Sequence, residues 1–300
     1  MSIGEWIRGP AIGRGSSATV SLAVDHRTGA VFAVKSVADA ARAEELRREH
    51  SILQDLDSPH VVRCLGLVDC DLFLEHAAGG SLADEIKRLG AGVEEGLIRS
   101  RARDVLLGLA HAHAAGVVHC DVKARNVLLA ADGRAVLADF GCARRIGISG
   151  GKVMGGTPMF MAPEAARGDE QGPAADIWAL GCTVVEMATG GGAPWWPRFA
   201  DPMAAMQHVA VSGEAPQWPR CNTWRTRRTF WAGVSAGTHG SGGRRSSCSG
   251  TRSWPPLLAT PTILSQLSLG RRSRSCPRRA SSTKRCGTTP RRASLPARAQ

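Results

Sequence analysis

The sequence predicts an α+β fold of two lobes, a small β-rich lobe followed by a larger α-helical lobe, with a basic tail behind them. Three observations carry this. Residues 5–37 and 61–75 read as short apolar strands broken by glycine turns. From Ser81 onward the apolar spacing becomes helical. At about residue 220 the composition changes. Residues 221–300 hold 16 of the 38 Lys and Arg and none of the 26 Asp and Glu. The remaining 220 residues therefore carry a net charge of −4, and the whole-chain +12 belongs to the tail.

The first strand, turn and strand pattern contains Gly13-Arg14-Gly15-Ser16-Ser17-Ala18-Thr19-Val20. Glycines in such a turn let backbone N–H groups approach phosphate oxygens. An ordinary hairpin would also use them. Phe32-Ala33-Val34-Lys35 follows a Thr28-Gly29 turn as a strand carrying one lysine. Residues 40–56 have helical spacing, with Leu46, Ile52, Leu53 and Leu56 on one broad face. Glu49 is the first candidate to pair with Lys35, and Glu45 the second. Residues 61–68 and 71–76 read as two strands with Asp71 at their turn. AAGGSLADEI is a glycine hinge before a helix capped by Ser81. Residues 94–115 form a long helix stopped at Gly116. His111 and His113, two apart, point to different faces, which argues against a metal site and favours surface and packing roles.

The centre of the chain is residues 119–141, HCDVKARNVLLAADGRAVLADFG. Asp121, Lys123 and Asn126 precede a short hairpin, and Asp139-Phe140-Gly141 follows it. This spacing suits phosphoryl transfer. Asp121 can align and deprotonate a hydroxyl, Lys123 can neutralise phosphate charge, and Asn126 and Asp139 supply hard oxygens for Mg²⁺. A lone D-F-G would mean only a hairpin with solvated charges; the joint spacing is far more specific. Residues 142–156 read as a glycine-rich loop. Gly156-Thr157-Pro158-Met159-Phe160-Met161-Ala162-Pro163-Glu164 follows, and Asp176 opens another apolar helix reaching about Thr189.

On these motifs, residues 5–219 resemble a protein kinase domain. GTPMFMAPE together with HCDVKARNVLL looks like the plant MAP kinase kinase kinases of the MEKK-like class. The resemblance implies a bilobal protein-kinase-like fold, with residues 5–77 as the small lobe and 78–219 as a partial large lobe. It implies a Ser/Thr kinase using ATP and Mg²⁺, acting on a MAP kinase kinase in a stress or hormone cascade. By the same resemblance Ile12, Gly13, Gly15, Val20 and Ala33 line the nucleotide site, and Leu74 backs the adenine pocket. Glu75 and Ala77 offer it a backbone carbonyl and N–H. Lys35, held by Glu49, grips the phosphates, Thr157 bonds Asp121 and Lys123, and Asp176 braces the catalytic loop from below.

Two departures stand out. Cys120 replaces the arginine that usually receives a phosphorylated loop residue, so switching through that arginine is not expected. Ser149 is the only Ser or Thr between Cys142 and Gly156 and reads as a solvated loop serine. The kinase pattern stops after about Pro219. Residues 220–300 read as a low-complexity tail, disordered or translated out of frame. In a shifted frame the codons of 237–253 permit D-P-R-E-R-W-T-A-E-Q-L-L and then H-P-F, the closing motif such a domain lacks here. The alternatives are a catalytically weak ATP-binding scaffold, or a tail that binds nucleic acid through Arg271, Arg272, Arg274, Arg278 and Arg279. No apolar run can span a bilayer, and the nine cysteines form no C-x-x-C pair. A reducing cytoplasmic or nuclear location, without membrane attachment, is expected.

Overall fold

A computed structural model describes residues 5–15, 17–90, 93–147, 155–195, 197–214 and 216. The tail, Ser149 and Trp196 lie outside the described residues. The small lobe is a five-stranded antiparallel sheet in the order β1-β2-β3-β5-β4. Its strands are β1 (Trp6–Arg14), β2 (Ala18–Asp25), β3 (Val31–Val37), β4 (Cys64–Val68) and β5 (Asp71–Glu75), with helix α1 (Ala40–Leu53) between β3 and β4. Alternation along β3 sorts its side chains. Phe32 and Val34 join Ala23 and Phe73 in a core on one face of the sheet. Ala33 faces the other way and packs with Leu46, Ile52 and Leu53 of α1. Lys35 shares that second face, so strand parity alone aims its amine toward α1.

Asp71, expected at the β4–β5 turn, instead opens β5. There it accepts two hydrogen bonds from Arg8, 3.0 and 2.9 Å, and one from Ser36, 2.5 Å. The turn falls at Asp69, which adopts φ 49°.

The helical part begins with α2 (Leu82–Leu89). Ser81 and Asp84 form its reciprocal capping box. Helix α3 (Glu95–Ala114) packs on α2 through a buried bidentate pair, Arg101 with Glu85, at 2.9 and 2.8 Å. Short strand β6 (Val117–Val118) follows Gly116, whose φ of 73° ends the helix. Strands β7 (Val127–Leu129) and β8 (Ala135–Leu137) form the central hairpin. The expected 142–156 loop contains a further strand, β9 (Arg144–Arg145), paired antiparallel with β6. Two residues are too few for periodicity to reveal. Then come α4 (Pro163–Ala166), α5 (Pro173–Ala188) and α6 (Pro202–Ser212), the last capped by the Asp201 carboxylate. Helix α5 is apolar nearly all round and lies buried along most of its length, which makes it an axis for the elements around it. Among the described residues no helix is long and apolar enough to cross a membrane.

Gly108 shows how closely α3 approaches the 57–61 segment. A Cβ there would lie 2.6 Å from the His60 carbonyl oxygen. Gly108→Ala gains about 1 kcal/mol of helix propensity but forces two backbones apart. The clash should win, with a net loss of roughly 1–2 kcal/mol measurable as a lower midpoint of thermal or urea unfolding.

Candidate active site

Two clusters lie at the two ends of the β7–β8 hairpin's chain, one after β8 and one before β7. The first centres on Lys35. Its Nζ lies 2.7 Å from Glu49 Oε2 and 2.7 Å from Asp139 Oδ1. Of the two glutamates considered in α1, Glu49 makes the pair and Glu45 is exposed. Burial works against the Lys35 charge, but Glu49 and Asp139 outweigh it and hold the amine above its ordinary value. Burial likewise pushes the Glu49 carboxyl up, with Lys35 pulling the other way. Asp139 resists its own burial because Lys35 lies beside it, and its carboxyl is held below the usual value. The Glu49 side chain is 2% exposed and that of Asp139 50%. One carboxylate is therefore committed to the protein, and the other is half-exposed.

The second cluster centres on Asp121. Its Oδ1 accepts the Thr157 hydroxyl at 2.7 Å, and its Oδ2 accepts Lys123 Nζ at 2.7 Å and Asn126 Nδ2 at 2.9 Å. Lys123 also donates to Thr157 Oγ1 at 2.6 Å. Asn126 spends Nδ2 a second time on the Asp121 carbonyl, 2.8 Å. Its amide oxygen is thus the end left for a cation. Asp139 stands in the left-handed region, φ 61°, an uncommon conformation for a residue with a Cβ.

The backbone of this loop hangs on Asp176, in the first turn of α5. Asp176 Oδ1 accepts the Cys120 N–H at 2.8 Å, and Oδ2 accepts the His119 N–H at 2.8 Å. His113 Nε2 lies 2.8 Å from the same Oδ2. Burial would raise the Asp176 carboxyl, but His113 and His119 more than compensate, and it stays below its ordinary value. His113, for which the sequence suggested only surface and packing roles, is therefore part of the brace. Pairing with a residue 63 positions away leaves no trace in the local pattern. His119 adds a contact of Nε2 with the Ala138 carbonyl, 3.0 Å, which ties the loop to the approach to Asp139.

Glu186, near the end of α5, had no signal in the sequence. It accepts the Ala124 N–H at 3.3 Å, and burial pushes its carboxyl up to about 7.

Around the cleft, Ala33 is buried, Val20 half-buried and Ile12 exposed, while Leu74 is buried beside Ala33 in the β3–β5 register. Glu75 closes β5, donating its N–H to the Arg63 carbonyl, and Ala77 follows it into the hinge. Gly13 and Gly15 flank the β1–β2 turn, closed by a 2.9 Å bond from Gly15 N to the Ala18 carbonyl. An added Cβ at either would find only ordinary contacts, 3.7 Å and 3.6 Å, so the protein's own packing does not demand glycine there.

The donor set suits Mg²⁺ only in part. Among the described residues no group of three or more His, Cys, Asp and Glu could hold a metal. The available ligands are one carboxylate and one amide oxygen, both hard. That fits an ion that keeps several waters and is shared with substrate phosphates rather than caged by protein.

The family model described as "Protein kinase domain" matches residues 6–227. The chain is 42% identical over 220 residues to mitogen-activated protein kinase kinase kinase 17 of Arabidopsis thaliana, covering 69% of this chain and 58% of that one. It is 42% identical over 219 residues to mitogen-activated protein kinase kinase kinase 18, covering 68% and 64%. To number 20 of the same organism it is 43% identical over 205 residues, covering 62% and 60%. The chain thus spans about three fifths of the length of these curated relatives.

Two outcomes follow from the brace. Asp176→Asn points an N–H₂ at backbone donors inside the protein and should cost roughly 3 kcal/mol, read by chemical unfolding. Glu186 binds its proton more tightly folded than unfolded, where its value is 4.5. Its contribution is intact below about 4.5 and is lost as pH rises through about 7. Glu186→Gln should flatten that decline in melts recorded across this window.

Proposed function

The chain belongs to the protein kinase domain family, and on that premise we propose that it transfers the γ-phosphate of ATP to serine or threonine of a protein substrate. The substrate we propose is a MAP kinase kinase, which the names of the relatives support. The observation that carries the reading is Lys35 held at 2.7 Å between buried Glu49 and half-exposed Asp139. Neighbouring elements β3 and α1 and a turn 104 residues beyond Lys35 bring one cation and one open carboxylate together.

In this reading Lys35 neutralises the α- and β-phosphates, with Glu49 fixing its direction. Bound Mg²⁺ would be held by Asn126 Oδ1 and Asp139, and it supplies positive charge to the phosphate oxygens. Asp121 receives the proton of the incoming hydroxyl. For that, one of its oxygens exchanges a present partner for the substrate. Lys123 stays within reach of the transferred group, and Thr157 fixes both side chains from the substrate side. Gly13 and Gly15 leave the β1–β2 turn free to lie against phosphates. Glu75 and Ala77 present main-chain groups to adenine, in front of Leu74, with Ile12, Val20 and Ala33 beside it.

Asp139→Asn should reduce phosphate transfer to a catalytically inert MAP kinase kinase by about a thousandfold or more. Lys35 keeps Glu49, so the unfolding midpoint should move by no more than about 3 °C. Radiolabelled Mg-ATP with phosphoamino-acid analysis reads the first, and thermal melts the second. Equal turnover by the variant would sink the assignment. Stabilisation of the unaltered chain by Mg-ATP without transfer would mark it as a nucleotide-binding scaffold instead.

A further inference from the structure

The segment that carries Thr157 is held by contacts that neither the motifs nor the roles above account for. Gln171, buried in the stretch before α5, donates from Nε2 to the Gly155 carbonyl at 3.2 Å. Its own main-chain carbonyl accepts a hydrogen bond from Arg144 Nη2 of β9. Next to Gly155, Gly156 adopts φ 107°, and a Cβ there would lie 2.5 Å from the Cys120 carbonyl oxygen. Gly155 and Gly156 are thus clamped between Gln171 on one side and the catalytic-loop backbone on the other. Thr157 then reaches Asp121 at 2.7 Å and Lys123 at 2.6 Å.

We propose that Gln171, anchored by Arg144, is a positioning residue for phosphoryl transfer: its side-chain amide holds Gly155–Gly156 so that Thr157 engages Asp121 and Lys123. The contact to Gly155 is a neutral amide-to-carbonyl hydrogen bond, and the charge in the latch lies in its anchor, Arg144. The position that would otherwise bring an arginine to this place is Cys120, whose thiol is pushed by burial to about 12 and stays protonated. Arg144 lies beside that uncharged thiol and is left to bond the Gln171 carbonyl. Because Gln171 bonds the Gly155 carbonyl and none of Lys35, Asp121, Lys123 and Asp139, its loss should lower kcat and leave the KM for ATP in place. This inference rests on the kinase reading above.

The test uses the full chain, Gln171→Glu and Gln171→Ala, with Mg-ATP and myelin basic protein. Glutamate keeps the shape but lacks the donor when ionised, and it regains one when protonated. At about pH 8 both variants should lose about tenfold in kcat, with the KM for ATP within about twofold of the unaltered chain. At about pH 6 Gln171→Glu should recover to within about twofold, since burial and the facing Gly155 carbonyl raise its carboxyl more than Arg144, committed to the main-chain carbonyl, lowers it, while Gln171→Ala stays low. Full activity of Gln171→Glu at the higher pH, or an equal deficit at both, overturns the proposal. Should the unaltered chain transfer no phosphate, the kinase reading fails. Amide hydrogen exchange over residues 155–160 then decides the latch on its own. Faster exchange in Gln171→Ala supports it, and unchanged exchange overturns it.

Discussion

A buried carboxylate with no counter-ion of fixed charge is the constraint on which the catalytic loop depends. Removed from water, Asp176 would be expensive to keep ionised. It is tolerated because two backbone N–H groups and one imidazole converge on it, at 2.8 Å each. Satisfying it dictates the path of the chain. To present consecutive N–H groups to one side chain, the loop must turn sharply, and Cys120 takes φ 66°. That turn sends the Cys120 carbonyl toward Gly156, the one side on which a Cβ cannot be accommodated. From there the geometry passes to Thr157 and so to both oxygens and the ammonium of the Asp121 cluster. One carboxylate thereby sets the shape of the loop and, through Gly156, the approach of the segment that faces it.

The Lys35 cluster obeys a different balance. Its charges lie in a partly buried place where desolvation and Coulomb attraction are of similar size. Burial opposes the charged form of each partner; pairing keeps Lys35 and Asp139 charged, while burial prevails at Glu49. Such a pair adds little to net stability, yet it strongly favours one arrangement of β3, α1 and the 139–141 turn over others. Gly141 belongs to the same argument. A Cβ there would lie 3.3 Å from Asp139 Oδ1 and 3.5 Å from Lys35 Nζ, so glycine leaves the cation and its carboxylates room to close.

How much of this was legible follows from where each signal resides. Asp121, Lys123, Asn126 and Asp139 fall within one short stretch whose spacing is set by a hairpin, and β7 and β8 form as that spacing requires. Lys35 could be aimed from strand parity. Glu45 and Glu49, four apart, share a helix face; the sequence ranked Glu49 first, and the approach of α1 to β3 makes that pair. His113, Glu186, Gln171 and Arg144 carried no such mark. Three of them act on backbone groups, which every residue has, and His113 acts on an aspartate far along the chain. An aspartate, asparagine and lysine at fixed spacing announce themselves by chemistry, whereas a glutamine bonding a glycine carbonyl is visible only once tertiary structure brings the two together.

Strand β9 shows how little sequence such a connection needs. It has two residues, Arg144 and Arg145, pinned to β6 through Val118 and Val117. Successive strand residues point to opposite sides. Arg144 goes to the Gln171 carbonyl on the side of α5, and Arg145 goes to Asp55 and the Ser51 carbonyl at the end of α1. The helix that presents Glu49 and the segment that presents Thr157 are thus tied to consecutive residues of one short strand. Through β6, the same strand borders His119 and Cys120, whose N–H groups satisfy Asp176. Contacts to the end of α1, to the segment before α5 and to the strand leading into His119 thus meet in two residues of a stretch that reads, by composition, as a loop.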